Sequence, residues 1–265
     1  MSTTYRLLLE YAGTRFSGWQ EQKNAITIAG ELRKALETVA GPVEDLGGAG
    51  RTDAGVHALA QVAHARLERA MDPVKLRDGV NELLPSDIHL LRVDAADPRF
   101  HARHAALART YLYQVSRRRT AFAKKYVWWV RRDIDVERMR SALAGLPGER
   151  DFVHFCDQPK SPKSTRVRMD RAEIAEAGPL VLLRFEASNF LWRMVRRLVG
   201  ALVEIGAGEL AVADFTSLVG GTVPPPLAGK DAKWTAPPSG LFLESVRYPG
   251  DPPPRPLAPA FALRA

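Results

Sequence analysis

The sequence predicts an α+β fold of two similar halves, each a split β-α-β unit whose antiparallel sheet carries its helices on one face. Three observations lead there. Strand-like and helix-like periodicities alternate as β-α-β-β-α-β up to Val93, the same order recurs between Thr110 and Arg247, and Gly178-Pro179 joins two strand patterns as a hairpin. Thr4–Tyr11 opens as a strand with Tyr5, Leu7, Leu9 and Tyr11 on one face. Ile28, Leu32, Leu36 and Val39 recur at helical spacing behind Thr27, a good N-cap. A short strand precedes Gly47, and Gln61–Leu67 and Ile88–Val93 read as strands. Between those two, Asp72-Pro73 caps and opens a helix through Leu76, Val80, Leu83 and Leu84, which Pro85 stops. In the second half Thr110–Ser116, Arg168–Glu176, Leu180–Ala187 and Gly240–Arg247 are strands. Val136, Met139, Leu143 and Leu146 form a helix after the cap Asp135, and Phe190–Ile205 forms a longer one. The halves are residues 1–104 and 105–248; Gly220–Gly240 is a Pro/Gly-rich loop, and 249–265, with six prolines, is an extended or disordered tail.

The chain has 265 residues, of which 46% are hydrophobic and 26% charged, so intrinsic disorder is excluded for most of it. A single cysteine, Cys156, rules out an internal disulfide and a thiolate metal cage, and fits a reducing, cytoplasmic setting. No apolar run approaches the roughly 18 residues of a spanning helix, and MSTTYRLLLEY lacks the layout of a signal peptide. Membrane and export are therefore not expected.

Lys and Arg number 38 against 30 Asp and Glu, a net +8, and the excess is unevenly placed. From Pro98 to Arg132 there are ten basic residues and no acid, where the chain average gives about five, and seven Phe, Tyr or Trp share the stretch. Cations for phosphates and rings for bases are the pairing a nucleic-acid surface needs. Smaller basic groups follow at Lys160, Lys163, Arg166, Arg168 and Arg171, then at Arg193, Arg196 and Arg197. The last three interrupt an otherwise apolar helix, so one of them is expected to meet a carboxylate.

Gly47-Gly48-Ala49-Gly50-Arg51-Thr52-Asp53-Ala54-Gly55-Val56-His57 is the most unusual segment. Its glycines permit tight turns and a close backbone approach to a ligand. It is no dinucleotide fingerprint, since Asp53 stands where the third glycine is needed, and no Walker A loop, since Val56-His57 replaces Lys-Ser/Thr. In an extended stretch Arg51 and Asp53 point to one side, and a carboxylate held among cations stays ionised, as a nucleophile or base must. The competing reading is an Asx-type turn in which Asp53 only bonds backbone amides. His101-x2-His104 lacks a third metal ligand, no G-x-S-x-G elbow occurs, and Cys156 has no local histidine signature beyond His154.

Taken together, these residues resemble the TruA-type tRNA pseudouridine synthase family. The resemblance runs through Tyr11-Ala12-Gly13-Thr14 … Gly18-Trp19-Gln20, the Ala49–His57 loop, Asn81 … Leu84-Pro85 … Asp87-Ile88, Phe100-His101-Ala102-Arg103, Ala108–Tyr113, Met194–Gly200 and Ser239–Leu243. Two departures are Ala12, where the family usually has Asp, and Ala29, where it often has Gln.

The resemblance implies two related ferredoxin-like halves with an active-site cleft between them, a homodimer, and neither metal nor organic cofactor. It implies isomerisation of uridine to pseudouridine at positions 38, 39 and 40 of the tRNA anticodon stem-loop. It matches Asp53 to the catalytic aspartate, Tyr111 to the ring stacking on the target base, and Arg196 to the cation pairing with the aspartate. Leu241 matches an apolar contact of the uracil pocket, and Arg51 the side chain that fills the gap left by the extruded nucleotide. A base inside a stem must be flipped out at a cost of a few kcal/mol, which a stacking ring and an inserted guanidinium offset. Tyr111 is also a candidate acceptor for the C5 proton, though an ordinary tyrosine pKa near 10 needs help for that task. The alternative from another class is a non-catalytic RNA-binding protein that keeps the same platform.

Overall fold

The computed structural model describes residues 2–157, 164–224 and 234–263. The chain divides into two compact units, one formed by residues 1–109 and 242–253, the other by residues 110–241 and 254–265.

In the first unit the elements run β1 (Thr3–Tyr11), α1 (Ile28–Ala40), β2 (Val43–Gly48), β3 (His57–Leu67), α2 (Pro73–Leu83) and β4 (Ile88–Ala95). The caps act as their residue types dictate. Thr27 accepts from Gly30 N–H, and Asp72 accepts from Val74 and Lys75 N–H with Pro73 behind it. Strand β1 lies between β4 and β3, antiparallel to both, and places Tyr5, Leu7, Leu9 and Tyr11 in the core. The long strand β3 has two partners on its other side. Residues from Ala63 onward pair antiparallel with β2, whereas His57 and Ala58 pair in parallel with Phe242 and Leu243 of the closing strand β10 (Leu241–Arg247).

That last pairing corrects two expectations. The closing strand, expected in the second half, hydrogen-bonds to β3, and the sheet is mixed rather than antiparallel. A parallel neighbour needs a long crossover, and here the chain between Leu67 and Leu241 supplies it. The same contact explains why β3 starts at His57, four residues before its alternating pattern begins: the His57 ring stacks on Phe242 at 4.8 Å.

The second unit contains β5 (Ala108–Ser116, entering from the first unit), β6 (Trp128–Trp129), α3 (Val136–Leu143), β7 (Gly148–Asp151), β8 (Arg166–Ala177), β9 (Leu180–Ala187), α4 (Met194–Gly206) and α5 (Val212–Val219). Its sheet runs β5-β9-β8-β7, with β6 parallel to β5, so it too is mixed. The hairpin turns at Gly178, whose φ of +58° suits glycine. Helix α3 packs on α4, α5 and β8, as α1 and α2 pack on each other and on the first sheet; the fold is α+β with its helices on one face. The sequence pattern misses α5 and the short β6 and β7. It also starts α4 four residues too early.

Lys160, Lys163 and part of the Gly220–Gly240 loop lie outside the described residues. The tail opens on a turn at Pro249-Gly250 and carries no helix or strand through the described residues 249–263. Gln114 accepts from Ala260 N–H, the buried Arg184 donates to the carbonyls of Arg255 and Pro256, and Phe261 lies 4.8 Å from Tyr126.

Candidate active site

The loop between β2 and β3 is braced one residue at a time. Ala49 N–H donates to Val62, and the Ala49 carbonyl accepts two bonds from the Arg109 guanidinium, at 3.1 and 2.8 Å. Arg109 is only 9% exposed, and it also binds the carbonyls of Arg103 at 2.6 Å and Ala106 at 3.3 Å. The next carbonyl, that of Gly50, accepts from the fully buried Gln61 side chain at 2.9 Å. The Thr52 carbonyl accepts from Trp19 N–H, and the Thr52 hydroxyl is 2.8 Å from that of Tyr11. Gln61 also donates to the Tyr11 oxygen, at 3.3 Å. Burial pushes the Tyr11 pKa up to about 12, outweighing these two bonds, and the phenol stays protonated at ordinary pH.

The opening motif is therefore scaffolding for the loop. Gly18, at φ +93°, lets the chain pass so close that a Cβ there would stand 2.6 Å from the Thr52 carbonyl. Gly13 donates from its N–H to His57 Nδ1, which fixes that ring as a neutral acceptor. The turn closes through the main chain, Val56 N–H donating to the Asp53 carbonyl. Thr52 is buried while Arg51 is exposed and Asp53 half-buried, the alternation of an extended segment.

In the second unit, Tyr111 sits on β5 with 8% of its surface exposed, and its ring meets Phe190 edge-on at 5.0 Å. Arg196, on α4, is locked to Ala236 in two ways: its Nε donates to that carbonyl at 2.8 Å, and its own carbonyl accepts Ala236 N–H. Gly200 makes this approach possible, since a Cβ there would stand 1.4 Å from the Trp234 carbonyl oxygen. Leu241 is buried, just after Gly240, where a Cβ would collide with the Tyr113 ring at 2.6 Å. The carboxylate expected among the arginines of α4 is Asp157, which Arg193 meets at 3.1 Å and Arg197 meets as well. Asp53 and Arg51 thus belong to one unit, and Tyr111, Arg196 and Leu241 to the other.

Competing chemistries gain nothing from the geometry. Cys156 is buried, which pushes its thiol pKa up, away from nucleophilic use. His101 meets the rings of His64 and His104 at tilted angles, with centroids 4.3 and 4.2 Å away, and desolvation pushes its pKa down. Among the described residues no group of three or more His, Cys, Asp or Glu is arranged to hold a metal ion, and no helix is long and apolar enough to cross a membrane.

A family model described as tRNA pseudouridine synthase matches residues 8–104 and 142–249, a span that includes the braced loop and helix α4. The chain belongs to that family. As a member it is an isomerase. The tRNA pseudouridine synthases A of Brucella ovis and Brucella canis are each 39% identical to this synthase over 256 residues, covering 92% of this chain and 97% of theirs. A solved H/ACA RNP bound to a substrate RNA containing 2′-deoxyuridine aligns with 76% of this synthase and 44% of that chain, at TM-score 0.39 and 12% identity, a likeness too distant to add to the assignment. Residue-by-residue matching gave Asp53, Arg51, Tyr111, Arg196 and Leu241 but no role for Tyr11, Gln61 or Arg109 of the synthase. Tyr11 carried a readable signal, because a tyrosine on a core-facing strand stripe needs a partner for its hydroxyl.

Proposed function

We propose that this synthase isomerises uridine to pseudouridine at positions 38, 39 and 40 of the tRNA anticodon stem-loop, with Asp53 as the ionised catalytic carboxylate. One observation supports this above the others: the carbonyls of Ala49, Gly50 and Thr52 are each held by a different group, while Arg51 and Asp53 are left with exposed surface. A loop that merely turns the chain needs no such bracing, whereas a reacting group must be positioned to within about 1 Å.

The other roles follow the family matching. Tyr111 stacks on the flipped uracil, Leu241 supplies an apolar wall, Arg51 fills the space left in the stem, and Arg196 is the cation matched to the aspartate. The enzyme works as a homodimer of chains with two ferredoxin-like halves, in the cytoplasm. In the first half, the strand order β4-β1-β3-β2 supports the ferredoxin-like reading.

The reaction breaks the C1′–N1 bond, turns the uracil and forms a C1′–C5 bond. N1 ends with a proton and C5 loses one, so the change is redox-neutral. Asp53 has three routes open to it: attack on the sugar, addition to the base, or removal of the 2′ proton. The experiment is tritium release to water from C5-tritiated tRNA, with the modified positions then mapped on the product. Release confined to positions 38 to 40 is expected. Binding without release under saturating tRNA would instead make the chain an RNA-binding protein that does not turn over.

A further inference from the structure

The apolar periodicity runs into α4 from Phe190, yet the helix begins only at Met194. Arg193 is the reason. It has φ +59°, the only positive φ outside glycine among the described residues, and such a conformation persists in an L-residue only where its surroundings hold it. Here the Asp157 carboxylate pairs with Arg193 at 3.1 Å and also with Arg197, Arg197 donates to the Cys156 carbonyl at 3.0 Å, and Asp157 N–H donates to the Trp192 carbonyl.

What this clamp achieves is the display of one ring. Trp192 is 57% exposed, and the Arg193 guanidinium lies 5.0 Å from its ring centroid. An exposed indole offers a broad aromatic face on which a base can stack, and the guanidinium beside it is held in place by Asp157. Two residues before Trp192, Phe190 contacts Tyr111, the ring assigned to the target uracil. Strain, an exposed indole and a stacked cation therefore converge on one turn leading into the helix that carries Arg196.

We infer that Trp192 forms a second nucleotide-binding site, in which the indole, with the Asp157-held Arg193 guanidinium beside it, stacks on an unpaired base of the substrate RNA other than the flipped uridine. The inference rests on the synthase reading above and adds a contact to it. Base-on-aromatic stacking sets the size of the effect.

The test compares Trp192→Phe with Trp192→Leu, since phenylalanine keeps a ring and leucine only apolar bulk. Tritium-release kinetics should show the Phe variant within about threefold of wild type, and the Leu variant with KM for tRNA raised roughly tenfold at a kcat changed less than twofold. Quenching of tryptophan fluorescence by an unmodified anticodon stem-loop RNA should be smaller in both variants than in wild type. Leu and Phe variants with equal KM, or quenching as strong in both as in wild type, would overturn the inference. If wild type binds this RNA with quenching but releases no tritium, the synthase reading fails and the quenching comparison still decides the stacking site. A Leu variant that fails to fold leaves the Phe variant's quenching as the decisive readout.

Discussion

Replacing Arg109 by methionine isolates the bracing of the loop around Asp53. The change removes the fork that holds Ala49 and Arg103, whose carbonyls accept at 2.8 and 2.6 Å from a guanidinium almost sealed from water. Each carbonyl left without its donor costs about 1–3 kcal/mol, so the two together cost about 2–6 kcal/mol unless the loop moves to find water. It has room to do so, because Arg51 is exposed and Asp53 half-buried. A displacement of about 1 Å is enough to cost roughly a hundredfold in rate. We therefore expect Arg109→Met to lower kcat about a hundredfold while KM for tRNA stays within about threefold, since the surface cations are untouched. Arg109→Lys should recover part of the loss, as an ammonium reaches one or two of the carbonyls without the fork geometry. The assay is single-turnover tritium release with enzyme in excess, alongside a thermal melt. Turnover at the wild-type rate in Arg109→Met, or a loss that matches the unfolded fraction and is not relieved by lysine, would refute the positioning role.

Three further outcomes follow from the same geometry. Gly200→Ala sets a Cβ 1.4 Å from the Trp234 carbonyl oxygen, so one backbone must retreat; the cost of about 1–3 kcal/mol or more should lower Tm by roughly 3–10 °C, and an unchanged melt would contradict the close approach. Tyr11 has its pKa raised from 10 to about 12, so its contribution to stability is complete below pH 10 and is lost as pH rises from 10 to 12; relative to Tyr11→Phe, wild type should lose about 3 kcal/mol over that window in urea titrations, and parallel curves would count against a buried phenol. Arg117 is paired with Glu176 at 2.6 Å whereas Arg119 lies over Trp129 at 5.7 Å, so Arg119→Gln should reduce the slope of log K against log salt for tRNA by about one and Arg117→Gln by clearly less; equal slopes would mean the ion pair does not withhold Arg117 from RNA.

The elements that sequence made legible are those with a local cause. Thr27, Asp72 and Asp135 each cap the helix they precede, because capping depends on residues within one turn. The partner of β3 was hidden, since Phe242 and Leu243 reach it from far along the chain and nothing near His57 announces a parallel neighbour. Helix α4 begins late because Asp157, some forty residues upstream, holds Arg193 out of helical geometry, and a periodicity count cannot register a distant carboxylate. The loop around Asp53 stood out by its glycines and its lone carboxylate. Its supports did not, because Gln61 and Arg109 look like ordinary polar residues until the fold buries them against carbonyls.

The most direct measurement is tritium release by Asp53→Asn, a replacement that keeps the shape while removing the charge and the carboxylate's power as nucleophile or base. The account predicts no release above background, with affinity for tRNA within about threefold of wild type. Release at the wild-type rate would contradict it.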